Sequence, residues 1–122
     1  MKPRRIQLSR KKGWLMPPNT VNVARPSKFG NPFKLAYYRD RVGYSDAFAR
    51  QTAVDFFRAC TFGDDTANDD VYQARCDWIR EHVHELRGKN LACWCPLDAP
   101  CHADVLLEMA NRPQDYREVT NG

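Results

Sequence analysis

The segment LACWCPLDAPCHADVLL, residues 91–107, decides the fold that the sequence predicts. Its apolar start, its turn with two prolines and its spaced apolar end predict a short buried strand, a tight turn and a helix that begins near Pro100. Three cysteines and a histidine, Cys93, Cys95, Cys101 and His102, fall within ten residues of this segment. Thiols and imidazoles bind metal ions and act in nucleophilic catalysis, so the segment also predicts a functional site.

The rest of the chain predicts one α/β domain around this segment. Alternating apolar residues predict two early strands, and apolar residues three and four apart predict two helices, the first capped by Ser45. The order β-β-α-α-β-α indicates a compact two-layer domain with a small mixed sheet over residues 1–112, followed by a polar tail over 113–122. The predicted strands are 5–9, 20–24 and 90–95, the predicted helices are 46–61, 72–86 and 100–111, and the stretches 37–43 and 62–69 are predicted to be irregular.

Composition and charge limit the class of protein. The 122 residues are 43% hydrophobic and contain no apolar run long enough for a signal peptide or a membrane span, so a soluble, cytoplasmic protein is expected. Residues 1–35 contain nine Lys/Arg and no Asp/Glu, whereas residues 36–122 contain ten Lys/Arg and fifteen Asp/Glu. A basic N-terminal part of this kind attracts phosphorylated ligands, although a short basic run can also be no more than a solvated surface.

A second segment, RPSKFGNPF at residues 25–33, predicts a loop of fixed shape because its two prolines restrict the backbone. Its charges and hydrogen-bonding groups predict an anion site, in which Gly30 lets backbone N–H groups approach a phosphate. Phe29 and Phe33 are expected to fix the loop to the core, although either ring could stack on a base. The predicted anion-binding residues are Arg25, Ser27, Lys28, Gly30, Asn31 and Lys34.

In one interpretation the cysteine segment holds zinc. On a strand, Cys93 and Cys95 point to the same face and Trp94 points to the other. With Cys101 they supply three corners of a tetrahedral site, and His102 is the candidate fourth ligand. Adjacent helical residues diverge by about 100°, so Cys101 and His102 can bind one ion only if the turn is irregular there.

In a second interpretation Cys101 is a catalytic thiolate. A helix N-terminus lowers the pKa of a nearby thiol, His102 could accept its proton, and Asp104 could orient an imidazole or bind a substrate hydroxyl. A third interpretation is that the cysteines only pack a tight corner. The remaining cysteines are expected in the core and the other two histidines on a solvated helix face: Cys60 and Cys76, and His82 and His84.

Both segments resemble the two signature blocks of DUF4326, a family of unknown function that is frequent in bacteriophages and actinobacteria. The resemblance extends from about Arg5 to Asn111. Phe29 stands where such proteins often carry Trp, and the turn after Cys95 is one residue longer than the commonest form. The resemblance implies no activity, but it implies that the pattern residues are Arg25, Pro26, Lys28, Gly30, Asn31, Pro32, Cys93, Trp94, Cys95, Pro100, Cys101, His102 and Asp104.

Together these features predict that the two segments meet at one edge of the sheet and form a site for a phosphorylated ligand, a nucleotide or a nucleic acid. In the first version the cysteines hold structural zinc and the domain binds its ligand without turnover. In the second, the protein is a small enzyme acting on a nucleotide or nucleic-acid base, with Cys101 or a metal-bound water as the reactive group. In the third, a phage-encoded protein acts in the host cytoplasm by inhibiting a host protein.

Overall fold

A computed structural model describes residues 2–62 and 70–112 of the chain. It confirms the α/β class and the order β-β-α-α-β-α. The stretch predicted to be irregular before the first long helix contains a π-helix, Tyr37–Val42, which ends at Gly43 with a φ of 91°. A 3₁₀ turn, Val83–Leu86, continues the second long helix. The main elements are β1 (Arg5–Gln7), β2 (Thr20–Asn22), α1 (Asp46–Thr61), α2 (Asp70–His82), β3 (Asn90–Cys93) and α3 (His102–Ala110).

The three strands form one sheet in the order β1-β3-β2, with β3 in the middle. Both pairings are parallel. The prediction of a mixed sheet is therefore wrong, and the sheet is parallel. The register places Gln7 opposite Cys93 and Asn22 opposite Ala92. The connections are long enough to permit parallel pairing: β1 and β2 are separated by a connection of crossover length, and β2 is joined to β3 through both long helices. All three strands therefore end at the same edge of the sheet.

The central strand determines where the core lies. Leu91 and Ala92 are fully buried, and Cys93 is 6% exposed, as expected for a parallel strand covered on both sides. Phe57 of α1 and Leu106 of α3 are also fully buried in the same apolar cluster. Helix α1 packs against both α2 and α3, and α3 packs against β3 and β1. The start of α3 is thereby held beside the carboxyl ends of the strands.

The first long helix forms as predicted and carries one unexpected bond. Ser45 caps it by accepting a hydrogen bond from the Phe48 N–H at 3.2 Å. Cys60 and Cys76 are in the core as predicted, but they are not free: a disulfide joins α1 to α2 across a Cα–Cα distance of 5.8 Å. The spacing of apolar residues predicts their burial. It carries no information on the distance between the two helices.

Three predictions concern other parts of the chain. The polar tail over 113–122 lies outside the described residues, as does the stretch 63–69 of the predicted linker. His84 is exposed as predicted, whereas His82 is half-buried and stacks on Trp78 with ring centroids 4.1 Å apart. Within residues 2–62 and 70–112, no helix is long and apolar enough to cross a membrane.

Candidate metal and anion site

The three free cysteines of the described chain meet in the turn between β3 and α3. The sulfurs of Cys93 and Cys95 lie 3.9 Å apart, and all three sulfurs, with that of Cys101, lie within 4.8 Å of one another. A tetrahedral zinc ion with Zn–S distances of about 2.3 Å separates two thiolate sulfurs by about 3.8 Å. The three cysteines are therefore spaced closely enough to hold one metal ion. Trp94 was predicted to point away from them, but β3 and its alternation end at Cys93, and the partly exposed Trp94 lines the same pocket as the three cysteines.

His102 is buried beside this group, with its ring orientation fixed. Its Nε2 lies 2.9 Å from the Val23 carbonyl oxygen, which can only accept, so Nε2 carries the proton and donates. Nδ1 then has a free lone pair in the neutral ring, and it lies 3.6 Å from the Cys101 sulfur. A metal-binding histidine commonly donates its other N–H to a backbone carbonyl in this way. The ring nitrogens of His102 do not lie within 4.8 Å of all three sulfurs.

The backbone at Cys101 explains why two adjacent side chains reach the same place. Cys101 is not in the first turn of α3 but is its N-cap, with an extended φ of −150° and ψ of 147°. The divergence of about 100° between neighbouring helical residues therefore does not apply to Cys101 and His102. The turn is irregular at the point where joint coordination requires it to be.

Hydrogen bonds among the three thiols shift their pKa values in different directions. Hydrogen bonds from Cys101 and then Cys95 hold the pKa of Cys93 well below its ordinary value. The hydrogen bonds with Cys93 and Cys95, together with burial, raise the pKa of Cys101. This direction is opposite to the one that a helix N-terminus alone predicts for Cys101, because the neighbouring thiols outweigh the helix. The catalytic roles of Cys101, His102 and Asp104 stay predictions.

Arg5 holds the turn that carries the cysteines, although the sequence marks it only as the start of a strand. Its side chain is 8% exposed, and its NH2 group lies 2.7–2.9 Å from the carbonyl oxygens of Pro96, Leu97 and Ala99. Its NH1 donates to the Asp104 carboxylate at 3.0 Å. Asp104 is thus paired with Arg5 and helps to fix the turn. The sequence could not predict this contact, because Arg5 is far from the cysteines along the chain and reaches the turn only through the pairing of β1 with β3.

The basic loop has the fixed shape that its prolines predict. The Asn31 amide donates to the Ala53 carbonyl at 3.1 Å and accepts from the Phe33 N–H at 2.9 Å, while Ser27 accepts from the Phe29 N–H at 3.1 Å. Gly30 is needed for space: a Cβ there would lie 2.8 Å from Arg25 Cγ and 2.9 Å from the Ser27 oxygen. The Gly30 N–H donates to that oxygen, so it serves the turn.

The two aromatic rings of the loop have the packing role that was expected. Phe29 is 8% exposed and lies against Trp78, with ring centroids 4.9 Å apart. Phe33 stacks on Tyr72 at 4.8 Å. Both rings fix the loop to α2 and to the core.

The basic loop and the cysteine turn converge on one pocket of about 240 Å³. Arg25 and Asn31 line it from the loop, and the three cysteines and His102 line it from the turn. Arg50 of α1 lines it as well. The pKa of Cys95 is raised: the hydrogen bond from Cys101 lowers it, but the hydrogen bond with Cys93, burial and the charge of Cys93 outweigh that bond and the smaller opposing effect of the Arg50 charge. The sequence did not single out Arg50, because an isolated arginine on an amphipathic helix is normally part of its solvated face.

The other predicted anion-binding residues lie elsewhere on the loop. Ser27, Lys28 and Lys34 line a separate groove on the α2 side, to which Arg25 also contributes. Gly30 is buried within the loop. The structure thus divides five of the six predicted residues between two concave surfaces that share Arg25.

Comparison with known proteins identifies the family of the chain. A search of curated proteins returned no match, and neither did a search of solved structures. The model of one family, described as a domain of unknown function, matches residues 6–112 and so includes the basic loop, the cysteine turn and Arg50. The chain belongs to that family, DUF4326.

Proposed function

We propose that this domain binds a phosphorylated ligand, a nucleotide or the end of a nucleic acid, in the pocket beside a zinc ion held by Cys93, Cys95 and Cys101. One observation supports this above the others: Arg25 and Arg50 line the same pocket of about 240 Å³ as the three thiols. Guanidinium groups pair with phosphate oxygens through charge-assisted hydrogen bonds. The pocket is smaller than the roughly 300–1,000 Å³ of sites that enclose a whole ligand, which suits a phosphate with part of its nucleoside.

Zinc has a clear physical role in this arrangement. Thiolates beside a bound phosphate would repel it, and a divalent cation offsets their negative charge. Bound to residues on both sides of the turn, the ion would also fix the wall of the pocket that the cysteines form. His102 is the candidate fourth ligand, because the free lone pair of its Nδ1 lies 3.6 Å from the Cys101 sulfur. With four protein ligands, the site is structural and the domain binds without turnover.

The proposal is tested by titrating the zinc-loaded protein with adenosine monophosphate and measuring the affinity by calorimetry. Arg50→Ala and Arg25→Ala should each weaken binding about 10-fold, the effect of losing about 1.4 kcal/mol from one charge-assisted contact. The matched control is Arg41→Ala, an exposed arginine of the π-helix outside the pocket, which should leave the affinity unchanged. Equal affinities in all four proteins, or no binding to the parent protein, would overturn the proposal.

A second candidate function, a small enzyme acting on a nucleotide, is favoured by one observation. Only the three cysteine sulfurs all lie within 4.8 Å of one another among the described residues, so His102 is not part of this close group. Three protein ligands leave a fourth zinc position open, as in catalytic zinc sites. His102→Gln separates the two candidates. In a structural site it should weaken zinc binding about 10-fold or more, and in an open site zinc affinity should be unchanged. The inhibition of a host protein stays a prediction.

A further inference from the structure

The groove on the α2 side of the basic loop has the composition of a nucleic-acid surface. It measures about 920 Å³ and is formed by the loop and the outer side of α2. Among the described residues that line it, four are cations, Arg25, Lys28, Lys34 and Arg75, and none is an aspartate or glutamate. Arg25, Lys28 and Lys34 are exposed. A cluster of cations attracts a polyanion more strongly than it attracts a single phosphate.

Two aromatic side chains lie among these cations. Tyr72 and Trp78 line the groove and are half-buried. Phe33 supports Tyr72 at 4.8 Å, and His82 supports Trp78 at 4.1 Å. Rings that are packed against a neighbouring ring lose little freedom on binding. Stacking on such rings, together with a basic path for the backbone, is how proteins bind single strands without reading sequence.

Lys28 connects the cations to the aromatic surface. Its ammonium group lies 5.4 Å from the centre of the Trp78 ring. The side chain is exposed and flexible, so it can turn from the ring to a phosphate when a base takes its place.

The groove and the pocket are neighbours because Arg25 lines both. The pocket has the size for one phosphate with part of its nucleoside, whereas a strand of nucleotides could continue past Arg25 into the larger groove. We infer that the ligand is a single-stranded nucleic acid, with its terminal nucleotide in the pocket and the following nucleotides along the groove. This inference rests on the proposed function, since it takes the pocket as a phosphate site.

The experiment compares two probes, adenosine monophosphate and a 5′-phosphorylated, fluorescently labelled oligothymidylate of about ten nucleotides. The oligonucleotide should bind the parent protein at least about 10-fold more tightly than the mononucleotide. Lys28→Ala/Arg75→Ala should remove this gain and lower the slope of log affinity against log salt by about 1.4, the value for two lost single-strand phosphate contacts. Mononucleotide affinity should stay within about 2-fold of the parent, because neither side chain lines the pocket.

The matched control is Arg41→Ala/Lys89→Ala, which removes two positive charges outside both concave surfaces. It should leave the salt slope unchanged. An oligonucleotide that binds no better than the mononucleotide, or a groove variant that behaves like this control, would overturn the inference and leave the pocket proposal standing. A mononucleotide affinity that does not respond to Arg50→Ala would instead contradict the pocket proposal and, with it, the inference.

Discussion

The described chain contains two groups of cysteines, each with two buried members, and Cys95 of the second group is half-buried. Cys60 and Cys76 are 2% and 0% exposed and are bonded to each other between α1 and α2. Cys93 and Cys101 are 6% and 1% exposed, and with Cys95 they are free and line a pocket with two arginines. Burial alone therefore does not separate a packing cysteine from a ligand. The difference lies in the neighbours: apolar helix faces around the first group, and a third thiol, an imidazole and cations around the second.

The largest expected effect is on the metal, and it separates the two groups directly. Cys101→Ser should reduce bound zinc from about one equivalent to less than about a tenth, since a structural zinc site with two remaining thiolates binds weakly. Cys60→Ala/Cys76→Ala is the matched control and should retain about one equivalent of zinc. Elemental analysis after dialysis measures both. Zinc retained by Cys101→Ser would contradict Cys101 as a metal ligand. Zinc lost from the control would contradict a metal site that is independent of Cys60 and Cys76.

Removal of the disulfide should lower the free energy of unfolding and leave the metal in place. In the chain-entropy model a cross-link that closes a loop of about 15 residues contributes about 3 kcal/mol, and Cys60 and Cys76 are 16 positions apart. Cys60→Ala/Cys76→Ala should therefore lower the free energy of unfolding by about 3 kcal/mol in urea denaturation. An unchanged denaturation midpoint would show that the bond contributes nothing to the stability of the packed helices.

The fold could be predicted further from the sequence than the site could. Ser45 and the apolar spacing behind it specify α1 to the residue, because capping and periodicity are local properties. The direction of the strands could not be predicted, because a β3 that follows two helices can pair either way until its neighbours are known. The same limit applies to the disulfide, which depends on the distance between two helices.

For the site, the sequence identified the two segments and missed the residues that join them. Cys93, Cys95 and Cys101 cluster along the chain, so their proximity is visible from spacing. Arg5 and Arg50 reach the turn and the pocket only through the packing of β1 and α1. Gly30 was expected to let backbone N–H groups approach an anion, and that role stays a prediction; the structure adds that the position needs the space of a missing Cβ.

Arg5→Ala should destabilise the cysteine turn specifically. Its guanidinium bonds three carbonyl oxygens of the turn while nearly buried, and hydrogen bonds from a charged group are worth about 2 kcal/mol. We expect a loss of about 2 kcal/mol in the free energy of unfolding and about 10-fold weaker zinc binding, the usual effect of removing a group that orients metal ligands. Chelator competition gives the zinc affinity. The control is Arg4→Ala, whose side chain is exposed; equal zinc affinities in the two variants would refute a role for Arg5 in holding the turn.

Gly30→Ala should have the smallest effect and test the loop alone. The new Cβ would press on the Ser27 carbonyl and on the flexible Arg25 side chain, which can move partly aside. Thermal denaturation should show a loss of about 1 kcal/mol, with mononucleotide binding weakened because Arg25 is displaced from the pocket. Lys34→Ala, in the same loop, should change stability by less than about 0.5 kcal/mol. A Gly30→Ala protein as stable as the parent would show that the loop can relax at this position.

The most direct test of the central claim is the zinc content of the full chain purified without a metal-affinity tag. If Cys93, Cys95 and Cys101 form a metal centre, the protein should contain about one equivalent of zinc. A chelator should remove the zinc and abolish the binding of adenosine monophosphate. Less than about half an equivalent, with mononucleotide binding unaffected by the chelator, would contradict the account and leave the three thiols as packing residues of a tight corner.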